Sequence, residues 1–313
     1  MSNISTKESV FLSAVVYYRA NPIGTVSFIE AVSTILEENF TNYEIIIVDD
    51  ASQEDIEQSL ATLNEKISGI LSVVRMSYSQ GIQSAMNAGV DAAIGDFVFE
   101  FEQPILDFDT SLIMDIYNRE LLGFDVVSAI PKNGGTLTSK LFYIIFNRGA
   151  RTQYPLSSER FRLVSRRAIN RIESMSNNIV YRKAFFRNSG LKCDSIEYAP
   201  KKKTKFEALP EERGKLATDS LVLFTETAYR LSLIMTITMM LFAAFSGGYT
   251  LLVFMIGRPT EGWTTMMMLM SLAFFGVFAI LTIIIKYLSV ILDLTFSKSR
   301  YLVEKITKLN KNF

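Results

Sequence analysis

Apolar and polar positions in the first two hundred residues repeat with two alternating periods. FLSAVVYY (11–18) is rich in β-branched and aromatic residues and reads as a strand. TVSFIEAVSTILEE (25–38) instead places Phe28, Val32, Ile35 and Leu36 on one side of a helix. YEIIIVDDAS (43–52) is an apolar strand that ends in two aspartates and a serine. A helix over roughly 53–66, a strand over 70–76 (ILSVVRM), a small-residue helix over 81–93 (GIQSAMNAGVDAA) and a strand over 97–102 (FVFEFE) follow. Gly and Ala in the second of these helices predict close packing on its neighbours. The alternation implies an α/β fold with a mostly parallel sheet flanked by crossover helices. Such sheets bind ligands beyond the carboxyl ends of their strands, where Asp49, Asp50, Glu100 and Glu102 fall.

The last third of the chain has a different pattern. Residues 231–257 lie between Arg230 and Arg258 without a charge, and residues 262–285 repeat this between Glu261 and Lys286. Each run exceeds the roughly 20 residues that span a bilayer, and neither keeps the polar stripe of a soluble helix. Two transmembrane helices joined by the short RPTEGW connector (258–263) are expected, as an antiparallel hairpin. The C-terminal SKSRYLVEKITKLNKNF (297–313) carries Lys298, Arg300, Lys305, Lys308 and Lys311 against Glu304. An excess of Lys and Arg places this tail in the cytoplasm, and a hairpin then places residues 1 to about 215 there too. Tyr301, Leu302, Ile306 and Leu309 have helical spacing, so the tail is read either as a helix lying on anionic lipid or as a solvated basic tail.

Composition narrows the chemistry. With 32 Lys and Arg against 32 Asp and Glu, no charge imbalance points to nucleic acid. The 313 residues include no His and one Cys, Cys193, which removes imidazole acid–base chemistry, Ser–His triads, disulfide frameworks and Cys-based zinc sites. Carboxylates, Lys, Arg, Tyr and backbone groups remain. The N-terminal MSNISTKESV lacks the basic flank and apolar run of a signal peptide. Two clusters stand out. GDFVFEFEQPILDFDT (95–110) puts Glu102, Asp107 and Asp109 after an apolar strand, with Glu100 on the same strand face as Glu102. Arg160, Arg162, Arg166, Arg167, Lys201, Lys202, Lys203 and Lys205 form a basic group before the first apolar run, suited to a phosphate or to lipid headgroups.

YEIIIVDDAS, followed by Gly81, Ala85, Asn87, Ala88, Gly89, Ala93, Gly95 and Asp96 and then by a strand and acids, resembles the family 2 glycosyltransferases of GT-A fold. FRLVSRRAI (161–169), Thr204-Lys205-Phe206 and the segment 215–233 are similar to the polyprenyl-phosphate (dolichyl or undecaprenyl-phosphate) members of that family, which carry two C-terminal transmembrane helices. The resemblance implies sugar transfer from a UDP- or GDP-linked nucleotide sugar to polyprenyl phosphate at the cytoplasmic face of the inner membrane, for cell-envelope glycans. It implies nucleotide-sugar contacts at Asp49, Asp50, Ser52 and Asp96, and acceptor-phosphate contacts at Arg162, Arg166 and Lys205. Mg²⁺ or Mn²⁺ would sit on Glu102 with Asp107 and Asp109, and Glu102, Asp107 and Arg162 would form the catalytic group.

The chain departs from the family pattern in places. The D-x-D motif falls on Glu102-Gln103-Pro104, and P-x-Y-N-E falls on Tyr17 to Asn21. The basic position after the fifth strand is Pro131, and the Asp before F-R-L is Arg160. Three readings of the metal position follow: Asp107 or Asp109 supplies the missing ligand, basic residues screen the diphosphate instead, or sugar transfer is lost. Asp107 and Asp109 also suit N-capping of a helix over 110–118. Four segments are expected: a cytoplasmic domain (1–214), an amphipathic segment (215–229), the two spans (230–288) and a basic tail (289–313). A transferase with another lipid-linked acceptor and a non-catalytic membrane scaffold are the alternatives. Gly247-Gly248 in the first span permits helix packing in a homo-oligomer.

Overall fold

The computed structural model describes residues 7–54, 56–132, 137–149, 154–175, 181–201 and 301–309, with scattered positions between 234 and 291. Strands and helices alternate as β1 (Glu8–Tyr18), α1 (Pro22–Asn39), β2 (Phe40–Asp49), α2 (Ile56–Asn64), β3 (Ile70–Met76), α3 (Ile82–Ala92) and β4 (Phe97–Phe101). Then follow α4 (Ser111–Glu120), β5 (Val126–Pro131), α5 (Leu137–Gly149), β6 (Phe161–Ser165), α6 (Arg166–Met175), α7 (Arg182–Asn188), β7 (Cys193–Tyr198) and β8 (Val303–Lys308). The elements expected up to β4 are all present, within a few residues of their expected bounds.

One eight-stranded sheet runs β7-β5-β6-β4-β1-β2-β3-β8. β1 is parallel to both β2 and β4, and β2 to β3. Two strands run against this direction: β6, between β4 and β5, and β8, on the outer edge of β3. Alternate residues of each strand enter opposite cores, as the period of two requires. Leu12, Ala14, Val16 and Tyr18 meet α1, α2 and α4 through Phe28, Leu60 and Ile113, whereas Val15 meets α3 and α6.

Local chemistry explains the element ends. α1 begins at Pro22, with Asn21 in left-handed conformation accepting from the Gly24 amide; Pro suits the first helical turn and Asn the cap. α3 lies close on the sheet because Gly89 faces it: a Cβ at this position would overlap Val15 Cγ1 and Val48 Cγ2. The small-residue helix thus packs as its composition predicts.

The C-terminal tail differs from expectation. Residues 303–308 are neither a lipid-bound helix nor a solvated tail but a strand, antiparallel to β3 from Ser72↔Lys308 to Met76↔Val303. Leu302 exchanges two hydrogen bonds with the Gln80 side chain, at 2.7 and 2.9 Å, and its carbonyl also accepts from the Ser77 amide. Thr307 donates to Glu57, and Tyr301 to Asp91. The exposed edge of β3 offered unpaired backbone groups, and pairing them outweighs the weak helical periodicity of a short polar segment.

Among the described residues, no helix is long and apolar enough to cross a membrane. The two expected spans, the 215–229 segment and Lys202, Lys203 and Lys205 lie largely or wholly outside the described residues.

Candidate functional site

β2 ends in Asp49, and the chain turns through Asp50, Ala51 and Ser52 at the carboxyl edge of the sheet. Ala51 sits at φ 53°, the left-handed region that costs a residue with a Cβ on the order of 1–2 kcal/mol. Asp49 is buried, accepts from the Ser52 amide at 2.8 Å and lies 3.6 Å from Arg75 Nε. Burial raises its pKa, and the Ser52 and Arg75 contacts oppose that.

Asp50 is equally buried and ties three segments together. It accepts from the Tyr17 hydroxyl on β1 (3.1 Å), the Ser79 hydroxyl (3.0 Å) and the amides of Gln80 (2.7 Å) and Gly81 (3.1 Å). Gly81 holds φ 83°, which its missing Cβ permits at the turn into α3. Asp50 therefore shapes the turn, and Asp49 is the less committed of the two carboxylates. Ser52 donates its hydroxyl to the Glu54 carbonyl. Asp96 lies elsewhere: it precedes β4, pairs with the Phe11 backbone and occupies the amino edge of the sheet. The nucleotide-sugar contact expected at Asp96 is thus corrected, because ligands of such sheets meet the opposite edge.

The acids after β4 are held by cations. Glu100 is opposite Arg162 in the β4–β6 register, so one backbone pairing sets both side chains on the same face. Arg162 Nε is 3.2 Å from Glu100, its Nη2 contacts Glu102 and its Nη1 is 3.7 Å from Glu159. Arg182, at the start of α7, binds Glu100 and Asn87. Lys183 Nζ is 3.4 Å from Glu102, and Arg187 Nη2 is 2.9 Å from Glu159. Burial pushes Glu100 upward, but Arg182 and Arg162 more than offset it and hold the carboxyl below its usual range. Burial pushes Arg162 down to about 10, against the pull of Glu100, so it stays charged at neutral pH.

In the loop after β4, Asp107 pairs with Arg160 and accepts from the Tyr198 hydroxyl at 2.9 Å. Arg160 also donates to Gln103 Oε1 at 2.9 Å. Asp109 is exposed, accepts from the Ser111 amide and hydroxyl at the start of α4, and lies 3.0 Å from Lys201. Hydrogen bonds from Lys201 and Ser111 lower its pKa. Its contacts hold the turn that leads into α4, whose N-cap residue is Thr110.

Two sets of expected roles are corrected by this geometry. Glu102, Asp107 and Asp109 do not form a common metal site, since each has its own cation and, among the described residues, no three acidic or Cys side chains gather around a point. Arg162, only 1% exposed and surrounded by carboxylates, is not open to an acceptor phosphate. Arg166 donates to the Gly95 and Ala93 carbonyls at the amino edge of the sheet, far along the strands from Asp49. Sequence reasoning missed Arg182, Lys183, Arg187 and Glu159. The available signal was YRKAFFR (181–187), three cations in an otherwise apolar helix.

Comparison with known proteins gives the site its context. The sequence model of the family described as Glycosyl transferase family 2 matches residues 27–102. The chain is 28% identical over 150 residues to an uncharacterized glycosyltransferase (sll0501) of Synechocystis sp. (strain ATCC 27184 / PCC 6803 / Kazusa), covering 46% of each protein. It is 23% identical over 290 residues to the uncharacterized glycosyltransferase YkcC of Bacillus subtilis (strain 168), covering 87% of this chain and 86% of that protein. The matched region thus spans less than half of the first of these relatives. Among solved structures, the glucosyl-3-phosphoglycerate synthase of Mycobacterium tuberculosis in complex with Mn²⁺, uridine-diphosphate-glucose and phosphoglyceric acid shares 14% identity, with a TM-score of 0.46 over 68% of this chain and 78% of that one. The mannosyl-3-phosphoglycerate synthase of Rubrobacter xylanophilus shares 16% identity and the same TM-score, over 71% and 74%. The Asp49–Ser52 turn and the start of the β4 acids lie inside the segment that the family model matches.

Proposed function

We propose that this protein is a membrane-anchored glycosyltransferase that moves a sugar from a nucleotide sugar to polyprenyl phosphate at the cytoplasmic face of a membrane. The observation that carries the reading is the Asp49–Ser52 turn at the carboxyl edge of a parallel sheet, inside the family-matched segment. Asp49 receives the ring N–H of the nucleoside base, and Asp50 holds the 79–81 turn that closes beside it. An acceptor phosphate is already an anion at neutral pH, so the transfer needs positioning and charge neutralisation rather than a general base. The absence of His is compatible with this chemistry.

The anchor is supported by the two uncharged runs and by the described positions within and just after them. Ile234, Leu241, Phe245, Met266, Met270, Val277, Ile284, Leu288 and Ile291 are helical and expose large apolar side chains, as lipid-facing residues would. The pairing of β8 with β3 supports an even number of crossings: both ends of the 202–302 segment meet the same sheet, which two antiparallel spans satisfy. A membrane-held domain suits a soluble nucleotide donor and a lipid-borne acceptor.

The test is nucleotide release by the full chain in detergent, with undecaprenyl phosphate and a panel of UDP- and GDP-sugars. Acceptor-dependent release with one donor, lost in Asp49→Asn, is the expected result. Release that undecaprenyl phosphate does not stimulate refutes the polyprenyl acceptor, and no release from folded protein with any donor refutes the transferase.

A further inference from the structure

Resting on the glycosyltransferase reading, we propose that the C-terminal strand positions the donor turn: through Gln80 and Arg75, residues 302–304 fix the two aspartates at the nucleotide site. Gln80 and Arg75 are positioning residues, which act through Asp50 and Asp49 rather than on substrate.

Two bridges carry the inference, each one residue wide. The first runs through Gln80. Its side-chain amide engages both backbone groups of Leu302, donating to the carbonyl at 2.7 Å and accepting from the N–H at 2.9 Å. Its own backbone amide donates to Asp50 at 2.7 Å. The Leu302 carbonyl also accepts from the Ser77 amide at 3.0 Å. The turn from β3 into α3 is thus held on one side by Asp50 and on the other by the tail.

The second bridge runs through Arg75, which lies opposite Asp49 in the β2–β3 register. Its Nε is 3.6 Å from Asp49 and 3.8 Å from Glu304, and its Nη2 donates to the Ser52 carbonyl at 3.3 Å. Glu304 reaches Arg75 from a bulge. Arg75 pairs with Lys305 but Met76 pairs with Val303, which leaves Glu304 as the extra residue on β8. Such a bulge re-aims a side chain, and bulges recur beside active sites. Burial pushes the Asp49 carboxyl up, and Ser52 and Arg75 draw it back. The placement of Arg75 therefore governs how readily this carboxylate accepts a base N–H.

β8 is also anchored away from the turn, where Thr307 and Lys305 meet Glu57 on α2. Those contacts hold the strand without leading to Asp49 or Asp50, so they serve as an internal comparison.

The experiment measures UDP and GDP binding to the full chain by calorimetry, beside thermal unfolding of each variant. Gln80→Ala keeps the backbone amide that Asp50 accepts and removes the link to Leu302. It should weaken the tighter-binding nucleotide by about fivefold. Leu302→Pro removes the N–H at the other end of that link, and the two changes together should cost no more affinity than the stronger one alone. Arg75→Met should weaken binding by about tenfold, and Arg75→Lys should keep most of the affinity. Thr307→Val should bind as wild type does, even with a lower Tm. A folded Gln80→Ala or Arg75→Met with unchanged affinity, additive losses in the double variant, or a Thr307→Val loss as large as that of Gln80→Ala overturns the proposal alone. If Leu302→Pro does not fold, Gln80→Ala against Thr307→Val decides. Failure of the folded wild-type protein to bind either nucleotide overturns the glycosyltransferase reading as well.

Discussion

Replacing Glu100 with Gln is the most direct probe of the buried charge group. The substitution keeps shape and removes one charge. Arg162 would retain Glu102 and Glu159, but Arg182 would keep only Asn87 and the new amide oxygen. A buried cation left without its carboxylate costs about 3–5 kcal/mol, and the amide still accepts one hydrogen bond, so the lower end, about 3 kcal/mol, is expected. For a domain of this size that lowers Tm by roughly 6–12 °C. Removing both partners, in Glu100→Gln with Arg182→Met, leaves no lone charge and should recover most of the loss. The wild-type pair also has a pH signature. The Glu100 pKa is depressed below 4.5, so its contribution is full above 4.5 and is lost as pH falls through the lower folded value. The single variant should lack that acid-dependent component. The assay is thermal unfolding by circular dichroism between pH 3 and 8. A shift below about 2 °C for Glu100→Gln, or a double variant worse than the single, would refute the reasoning.

Three further outcomes are expected. Gly89→Ala gains about 1 kcal/mol of helix propensity but forces a Cβ into Val15 and Val48, so a net loss of about 1–2 kcal/mol should appear in urea melts. Ala51→Gly releases the left-handed strain after β2; set against the entropy of glycine, a gain of about 0.5–1 kcal/mol should be seen without loss of nucleotide binding. Glu120 is pushed up to about 7 by burial and by Asp125, against the opposing pull of Arg167. A raised carboxyl pKa means stability falls as pH rises from 4.5 toward 7, on the order of 3 kcal/mol in all. Glu120→Gln should remove that slope and exceed wild type at pH 8, as denaturant unfolding at pH 5 and pH 8 will show.

Much of the parallel half of the fold is a local property and could be read from the chain. Strands β1 to β4 are β-rich runs between helices, and a right-handed crossover leaves them little choice of order. The Asp49-Asp50 turn and the tight seat of α3 follow from residue types at fixed spacing, because a strand end exposes its last side chains and a Gly at the sheet lets a helix approach. The β4 acids show the limit. Their chemistry depends on β6, some sixty residues later, entering the sheet antiparallel and placing Arg162 opposite Glu100. α7 then adds Arg182 and Lys183 from farther along the chain. No local periodicity encodes which distant strand becomes a neighbour, so carboxylates that look like metal ligands in sequence are ion-paired in space. β8 makes the same point: a basic stretch with helical spacing becomes a strand because the open edge of β3, more than two hundred residues earlier, supplies the hydrogen-bond partners.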